Sequence, residues 1–192
     1  MHAIHTTPGF IVGSGSYGEA GKLISIFTQD LGLVRAVAQG IRFEKSKLRY
    51  HTSDYSFGIF SLVRGKEVWR LTSAQPLDGG KETIFWARIA LLLRRLLQGE
   101  EANVQLFEAI YACHIFLSTS QAATNSESSN LETVESLLVI RIMHALGYIG
   151  DDKEMHSFIY SNDYTPSLLE LTKSKKTMIN QHINKALKES HL

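Results

Sequence analysis

Apolar and polar residues alternate in short runs over the first 76 positions. The runs lie around Gly9-Phe10-Ile11-Val12, Leu23-Ile24-Ser25-Ile26-Phe27, Leu33-Val34-Arg35-Ala36-Val37, Phe57-Gly58-Ile59-Phe60 and Trp69-Arg70-Leu71-Thr72. Runs of this length, rich in β-branched and aromatic residues, predict strands at 5–14, 22–28, 33–39, 55–63 and 67–74. Turn-forming residues separate them at 13–21, 30–32 and 64–66, and a longer connection runs from Gly40 to Asp54. Short strands with such turns make a small barrel or sandwich. Five of them, with one long connection between the third and fourth, have the size and layout of an OB-fold.

Past Pro76 the period changes from two to 3.6, and Leu, Ala, Arg and Glu replace Val, Thr and Gly. Helices are predicted over 78–98, 102–118, 131–146 with Gly147 as the stop, 153–161 as a short element, and 167–190 as one or two more. Residues 118–130 hold seven Ser/Thr in thirteen without apolar periodicity and read as a mobile connection. The fold class is therefore α+β and multidomain: an N-terminal five-stranded OB-fold barrel at 1–78, then an all-α helical domain at 79–192.

Composition narrows the function classes. With 192 residues, 44% hydrophobic and 20% charged, the chain is that of an ordinary globular protein and not a disordered one. Its longest apolar run, 89–93, falls far short of the roughly 20 residues that span a bilayer, and the first residues lack the charged and apolar regions of a signal peptide. A cytoplasmic protein without a membrane partner is expected. The single cysteine, Cys113, excludes an internal disulfide and a multi-cysteine zinc site. Charge is split unevenly: residues 1–76 carry nine Lys/Arg against five Asp/Glu, and residues 77–192 eleven against fourteen. The basic front half fits either a polyanion partner or a solvated face.

Gly13, Gly15 and Gly18 spell the G-x-G-x-x-G of a phosphate loop. That loop must open a helix, and here a strand-like Lys22–Thr28 follows. No acidic residue stands where a ribose would need one, so a glycine-rich hairpin connection is the better reading and no nucleotide cofactor is expected. Nucleophile elbows, kinase motifs and metalloprotease helices are absent as well, and Cys113 inside an amphipathic helix reads as a buried, inert thiol. An enzyme is not expected.

The connection after the third strand, "GIRFEKSKLRYH", carries Arg42, Lys45, Lys47 and Arg49, with Phe43 and Tyr50 among them. Cations at that spacing neutralise phosphates and rings stack on bases, although a solvated loop has the same composition. Arg35 and Arg70 on strands, and Lys22 and Tyr17 beside the glycines, extend the candidate surface. On the first helix Arg88 and Arg95 share a face, with Leu91 and Leu92 between them. Two readings stand: a helix edge of snorkelling arginines, or a dock for an acidic, hydrophobic peptide.

The stretch "GFIVGSGSYGEAGKLISIFTQDLGLVRAVAQGIRFEKSKLR" resembles the N-terminal region of the RecO family of bacterial recombination mediators, at Tyr17-Gly18-Glu19, Phe27-Thr28, Gly32, Ala38-Gln39-Gly40 and Lys45-Ser46-Lys47. "VESLLVIRIMHALGY" is similar to the family's leucine-rich helix, and "INKALKESHL" to its closing helix. The resemblance implies a non-enzymatic, nucleoid-associated protein that binds single- and double-stranded DNA and anneals complementary strands. Its implied partners are RecR, the C-terminal tail of single-strand binding protein (SSB), and RecA indirectly. Many relatives carry a four-cysteine zinc module after the Leu-Gly-Tyr helix; here "IGDDKEMHSFIYSND" stands in its place without a cysteine, which implies no metal. The alternative reading is an OB-fold adaptor for RNA or protein in a non-repair assembly.

Overall fold

In the computed structural model, which describes residues 3–77, 82–119, 128–151 and 153–189, the five runs form strands β1 (Ile4–Tyr17), β2 (Gly21–Thr28), β3 (Gly32–Ala38), β4 (Phe57–Val63) and β5 (Trp69–Pro76). They close a barrel in the order β1-β2-β3-β5-β4. Every neighbouring pair is antiparallel except β3 and β5, whose parallel register Ala36↔Trp69 and Val37↔Arg70 completes the circle. Alternation decides what fills it: Ile11, Ile24, Ile26, Val34, Ala36, Phe60, Leu62, Trp69 and Leu71 form one cluster. Each large apolar side chain so buried stabilises the fold by roughly 1.5–3 kcal/mol.

β1 runs further than its glycines suggest. The expected break at Gly13 is instead a bulge, after which Ser14↔Ile24, Gly15↔Leu23 and Ser16↔Lys22 stay paired. Glycine suits the bulge because the Arg94 guanidinium lies 3.3 Å from where a Cβ would stand. The turn itself is short, with Gly18 at φ 59°. The glycine-rich stretch is therefore a hairpin of the barrel.

The chain divides into two compact units, 1–104 and 105–192. Helix α1 (Thr83–Leu96), which its sequence placed with the helical domain, makes its contacts with β1 in the first unit. Its Trp86 stacks into an aromatic group with Phe10 (5.4 Å between ring centroids), Phe57 (4.9 Å) and Phe85 (5.0 Å) on the outer wall of the barrel. The segment after α1 is fastened to the barrel too. The Leu33 amide donates to the Gly99 carbonyl (3.3 Å), and Trp69 Nε1 donates to Glu100 Oε1 (3.0 Å), while the other oxygen of that carboxylate pairs with Arg64.

The second unit contains α2 (Val104–Thr119), α3 (Ser128–Ala145), α4 (His156–Ile159), α5 (Pro166–Ser174) and α6 (Lys176–Glu189). α3 begins earlier than expected, inside the Ser/Thr-rich stretch. The rest of the mobile connection expected there, 120–127, lies outside the described residues. Gly147 (φ 77°) ends α3 as its sequence suggests: its amide donates to the His144 carbonyl (2.8 Å) and that of Tyr148 to Met143 (2.9 Å), a Schellman closure. Thr165 caps α5 by accepting from the Leu168 amide, with Pro166 as the first helical residue. Cys113 is fully buried, as expected. Arg141 is only 2% exposed. Its Nε donates to the Phe158 carbonyl (2.9 Å), one terminal nitrogen donates to Asp163 (2.8 Å), and the guanidinium lies 4.6 Å from the Tyr164 ring centroid.

Candidate nucleic-acid interface

The connection between β3 and β4 is long enough to fold on itself. Gly40 turns it at φ 65°, and Ile41 then drops into the barrel cluster at 4% exposure. A 3₁₀ turn follows at Lys47–His51, with Leu48 packed against the same cluster. Thr52 closes the turn by donating its hydroxyl to the Leu48 carbonyl (2.8 Å), and is itself buried. Ile41, Leu48 and Thr52 thus seat the connection. Phe43, Lys45, Lys47, Arg49 and Tyr50 are exposed; Phe43 is 65% and Tyr50 72% accessible.

Lys22 has the alternation of the inward-facing Ile24 and Ile26, and as the strand's second residue it stands at the mouth of the barrel. Its ammonium donates to the Thr52 carbonyl and to Asp54 Oδ1, each at 3.2 Å. The same carboxylate accepts from the Ser14 hydroxyl. Arg42 reaches back to the β1–β2 hairpin, donating to the Glu19 carbonyl (3.2 Å) and to the Ser16 hydroxyl. These contacts gather residues from both ends of the sequence candidate: Lys22, Arg42 and Arg49, with Ile41 and Thr52, line a cleft of about 200 Å³.

Three cations around one cleft create a positive potential that a phosphodiester can enter, and the exposed rings of Phe43 and Tyr50 on the same connection offer π-faces to unpaired bases. Lys45 and Lys47 belong to this connection without lining the cleft. Arg35 and Arg70 are exposed on the outer wall, where Arg35 pairs in register with Ser25 and Arg70 with Val37 and Val63. They are not among the residues that line the cleft. Asp54 is not conspicuous in the sequence; its only signal there is an isolated acidic residue at the end of a basic connection. Among the described residues, no three His, Cys, Asp or Glu side chains converge as metal ligands would.

On α1 the expected Arg88/Arg95 face is present and is broader than expected. Ile84, Arg88, Leu91 and Arg95, spaced i, i+4, i+7 and i+11, share one exposed stripe, in which Ile84 is 74% and Leu91 67% accessible. Leu92 is half-buried at its edge.

Residues 1–79, the whole barrel, match the family model described as the N-terminal part of recombination protein O. Curated relatives carry the similarity into the helices. The chain is 28% identical over 153 residues to the DNA repair protein RecO of Clostridium perfringens, covering 76% of this chain and 59% of that protein. It is 28% identical over 161 residues to the RecO of Synechocystis, covering 81% and 57%. With the RecO of Clostridium novyi the identity is 24% over 153 residues, covering 76% and 57%. The matched region thus spans a little more than half the length of these relatives.

Proposed function

We propose that this chain is a RecO-type protein, given the match of its barrel to the N-terminal part of recombination protein O and the similarity of most of its length to RecO proteins, and that it serves DNA repair and recombination by binding DNA and not by catalysis. The observation that carries this reading is the convergence of Lys22, Arg42 and Arg49 on one cleft at the barrel mouth. A strand would lay its phosphates along these cations, with Lys45, Lys47, Arg35 and Arg70 as outlying contacts, and stack unpaired bases on Tyr50 and Phe43. Nothing in this arrangement selects a base, because the cations meet the backbone and a ring accepts any base. This arrangement supports sequence-independent binding of single and double strands, and annealing of complementary strands is the activity we propose for it.

The stripe of Ile84, Arg88, Leu91 and Arg95 supports a second contact, with the acidic, hydrophobic tail of SSB. Its arginines would pair the tail's carboxylates while the apolar side chains cover an aromatic one. Acting with RecR, a protein with both surfaces would load RecA onto strands coated by SSB.

The deciding experiment compares binding of a single strand, a duplex and an RNA of equal length, alongside the rate at which complementary strands anneal. Binding to both DNA forms with faster annealing is the expected result. No nucleic-acid binding, or a preference for RNA, would favour the adaptor reading instead.

A further inference from the structure

The elements that build one side of the barrel contain no carboxylate. β1, β2 and β3 hold Lys22 and Arg35 but no Asp or Glu, and α1, which packs on β1, holds Arg88, Arg94 and Arg95 and again no acid. The nearest acids along the chain, Glu19 and Asp30, sit in the turns at the two ends of β2. Glu101 lies at the Asp30 end too, with its backbone against Gly32.

Register decides which residues share the outer wall. Ile24 and Ile26 point into the barrel cluster, so Ser25 between them points out; it stands opposite Gly13 on β1 and opposite Arg35 on β3. Two strand spacings, about 10 Å, separate Gly13 from Arg35. The space where a Gly13 Cβ would stand is taken by Arg94, with a terminal nitrogen 3.3 Å and the guanidinium carbon 3.8 Å from that point. Arg94 and Arg35 therefore flank Ser25, one reaching in from the helix and the other rising from the strand. Both are exposed, and among the described residues no hydrogen bond or ion pair occupies either guanidinium.

Toward the hairpin tip the same wall is bare. Gly15, opposite Leu23, has nothing within 4 Å of where a Cβ would be. Tyr17 at the tip is 48% exposed, and its ring edge lies 3.5 Å from the corresponding point of Gly21. Along β2, Lys22 at the barrel mouth and Ser25 are three residues apart, about 10 Å. That is the rise of about three nucleotides of a stacked strand.

We propose that Arg94 and Arg35 form a phosphate seat on the outer wall, and that a single DNA strand held at the barrel mouth continues over the β1–β2 hairpin, past Tyr17, into it. Each guanidinium offers a planar fork of donors to the phosphodiester, Ser25 adds a hydroxyl between them, and Tyr17 takes an unpaired base. Arg94 is thereby a contact residue supplied by the helix, outside the α1 stripe. The inference rests on the DNA reading and deepens it by giving the strand a path beyond the cleft.

The test uses the full chain and a labelled oligothymidylate of about 16 nucleotides, the upper end of the site size of one such barrel. R35A/R94A is expected to bind it about fivefold more weakly at about 0.1 M salt and to flatten the plot of log affinity against log salt by about 0.7, the share of one phosphate on a single strand. R35K/R94K keeps both charges and should keep the slope. S25D sets a carboxylate between the two arginines and should reproduce the loss with both in place; it decides alone if R35A/R94A melts early. Parent-like affinity and slope in a folded R35A/R94A overturn the seat, as does loss of acidic-peptide binding with DNA binding intact, which would give this wall to a protein partner. An R42A/R49A variant measured alongside separates the two ideas. Weaker binding there alone leaves the DNA reading standing without the seat; parent-like binding in both variants removes both.

Discussion

The Lys22 ammonium lies 3.2 Å from the Asp54 carboxylate, so one of the three cations that line the barrel cleft already has an anion beside it. With both side chains partly solvated, the pair is worth about 1 kcal/mol or less to stability. For a ligand it matters more, because an entering phosphate must compete with Asp54 for Lys22 and approach the carboxylate as it does so. Asp54→Asn is expected to tighten binding of any DNA by about two- to fivefold, the equivalent of a surface pair. Fluorescence anisotropy over a salt series checks this, and unchanged or weaker binding would show that Lys22 takes no part.

Replacing Arg42, Lys45, Lys47 and Arg49 together by Ala should weaken binding to all sequences alike. On single strands the salt dependence should flatten by about 0.7 in slope for each phosphate that these cations neutralise in the parent. Tyr50→Ala should behave differently, costing about 1–3 kcal/mol on single strands at an almost constant slope, because stacking releases no counterions. Parent-like affinity and slope in the quadruple variant would reduce the connection to a solvated loop.

The α1 stripe is separable from the cleft. Arg88→Glu with Arg95→Glu should weaken binding of an acidic SSB-tail peptide by tenfold or more, since reversing a cation that pairs a carboxylate costs several kcal/mol. DNA affinity should stay within about twofold of the parent, the scatter expected of a distant, independent site. Peptide affinity that survives the double reversal would place the tail elsewhere.

Two glycines with positive φ make a stability pair. Gly32 (φ 72°) lies under the backbone of Glu101, whose carbonyl oxygen is 2.3 Å from where a Cβ would be; Gly18 (φ 59°) faces open space. Alanine at position 18 carries only the left-handed cost of about 1–2 kcal/mol. At position 32 it must in addition displace the segment after α1, so Gly32→Ala should lower the urea midpoint clearly more than Gly18→Ala. Equal losses would mean that the segment moves aside freely.

The barrel was legible because its signals are local. Alternation marks the strands, Asp30-Leu31-Gly32 and Gly65 mark turns, and the long third connection distinguishes the fold. Helix ends were legible where capping is local too, as at Gly147. Other features depend on packing that no window of sequence contains. The apolar side of α1 is plain from its spacing, but that Trp86 meets Phe10 and Phe57 of the barrel is a tertiary fact. Gly13 and Gly15 look like chain breakers, yet pairing with β2 continues past them because a bulge absorbs the irregularity. In the cleft, the sequence shows the cation-rich run and Lys22 as separate features. Their meeting depends on the Thr52 carbonyl and Asp54 coming back to β2.

The connection after β3 divides its labour by position. Ile41, Leu48 and Thr52 determine how it is seated, while residues 43, 45, 47, 49 and 50 are exposed, with Arg49 at the rim of the cleft that Ile41 and Thr52 also line. Substitutions at the outward positions leave the anchors untouched, so ligand preference can drift here with little toll on folding. Because the backbone is already ordered, each new side chain is displayed in a ready-made geometry, and binding need not supply the ordering of a loop. The barrel is thereby a chassis for the proposed face: five exposed side chains can change without disturbing the seat, whereas replacing one inward anchor unseats the whole connection.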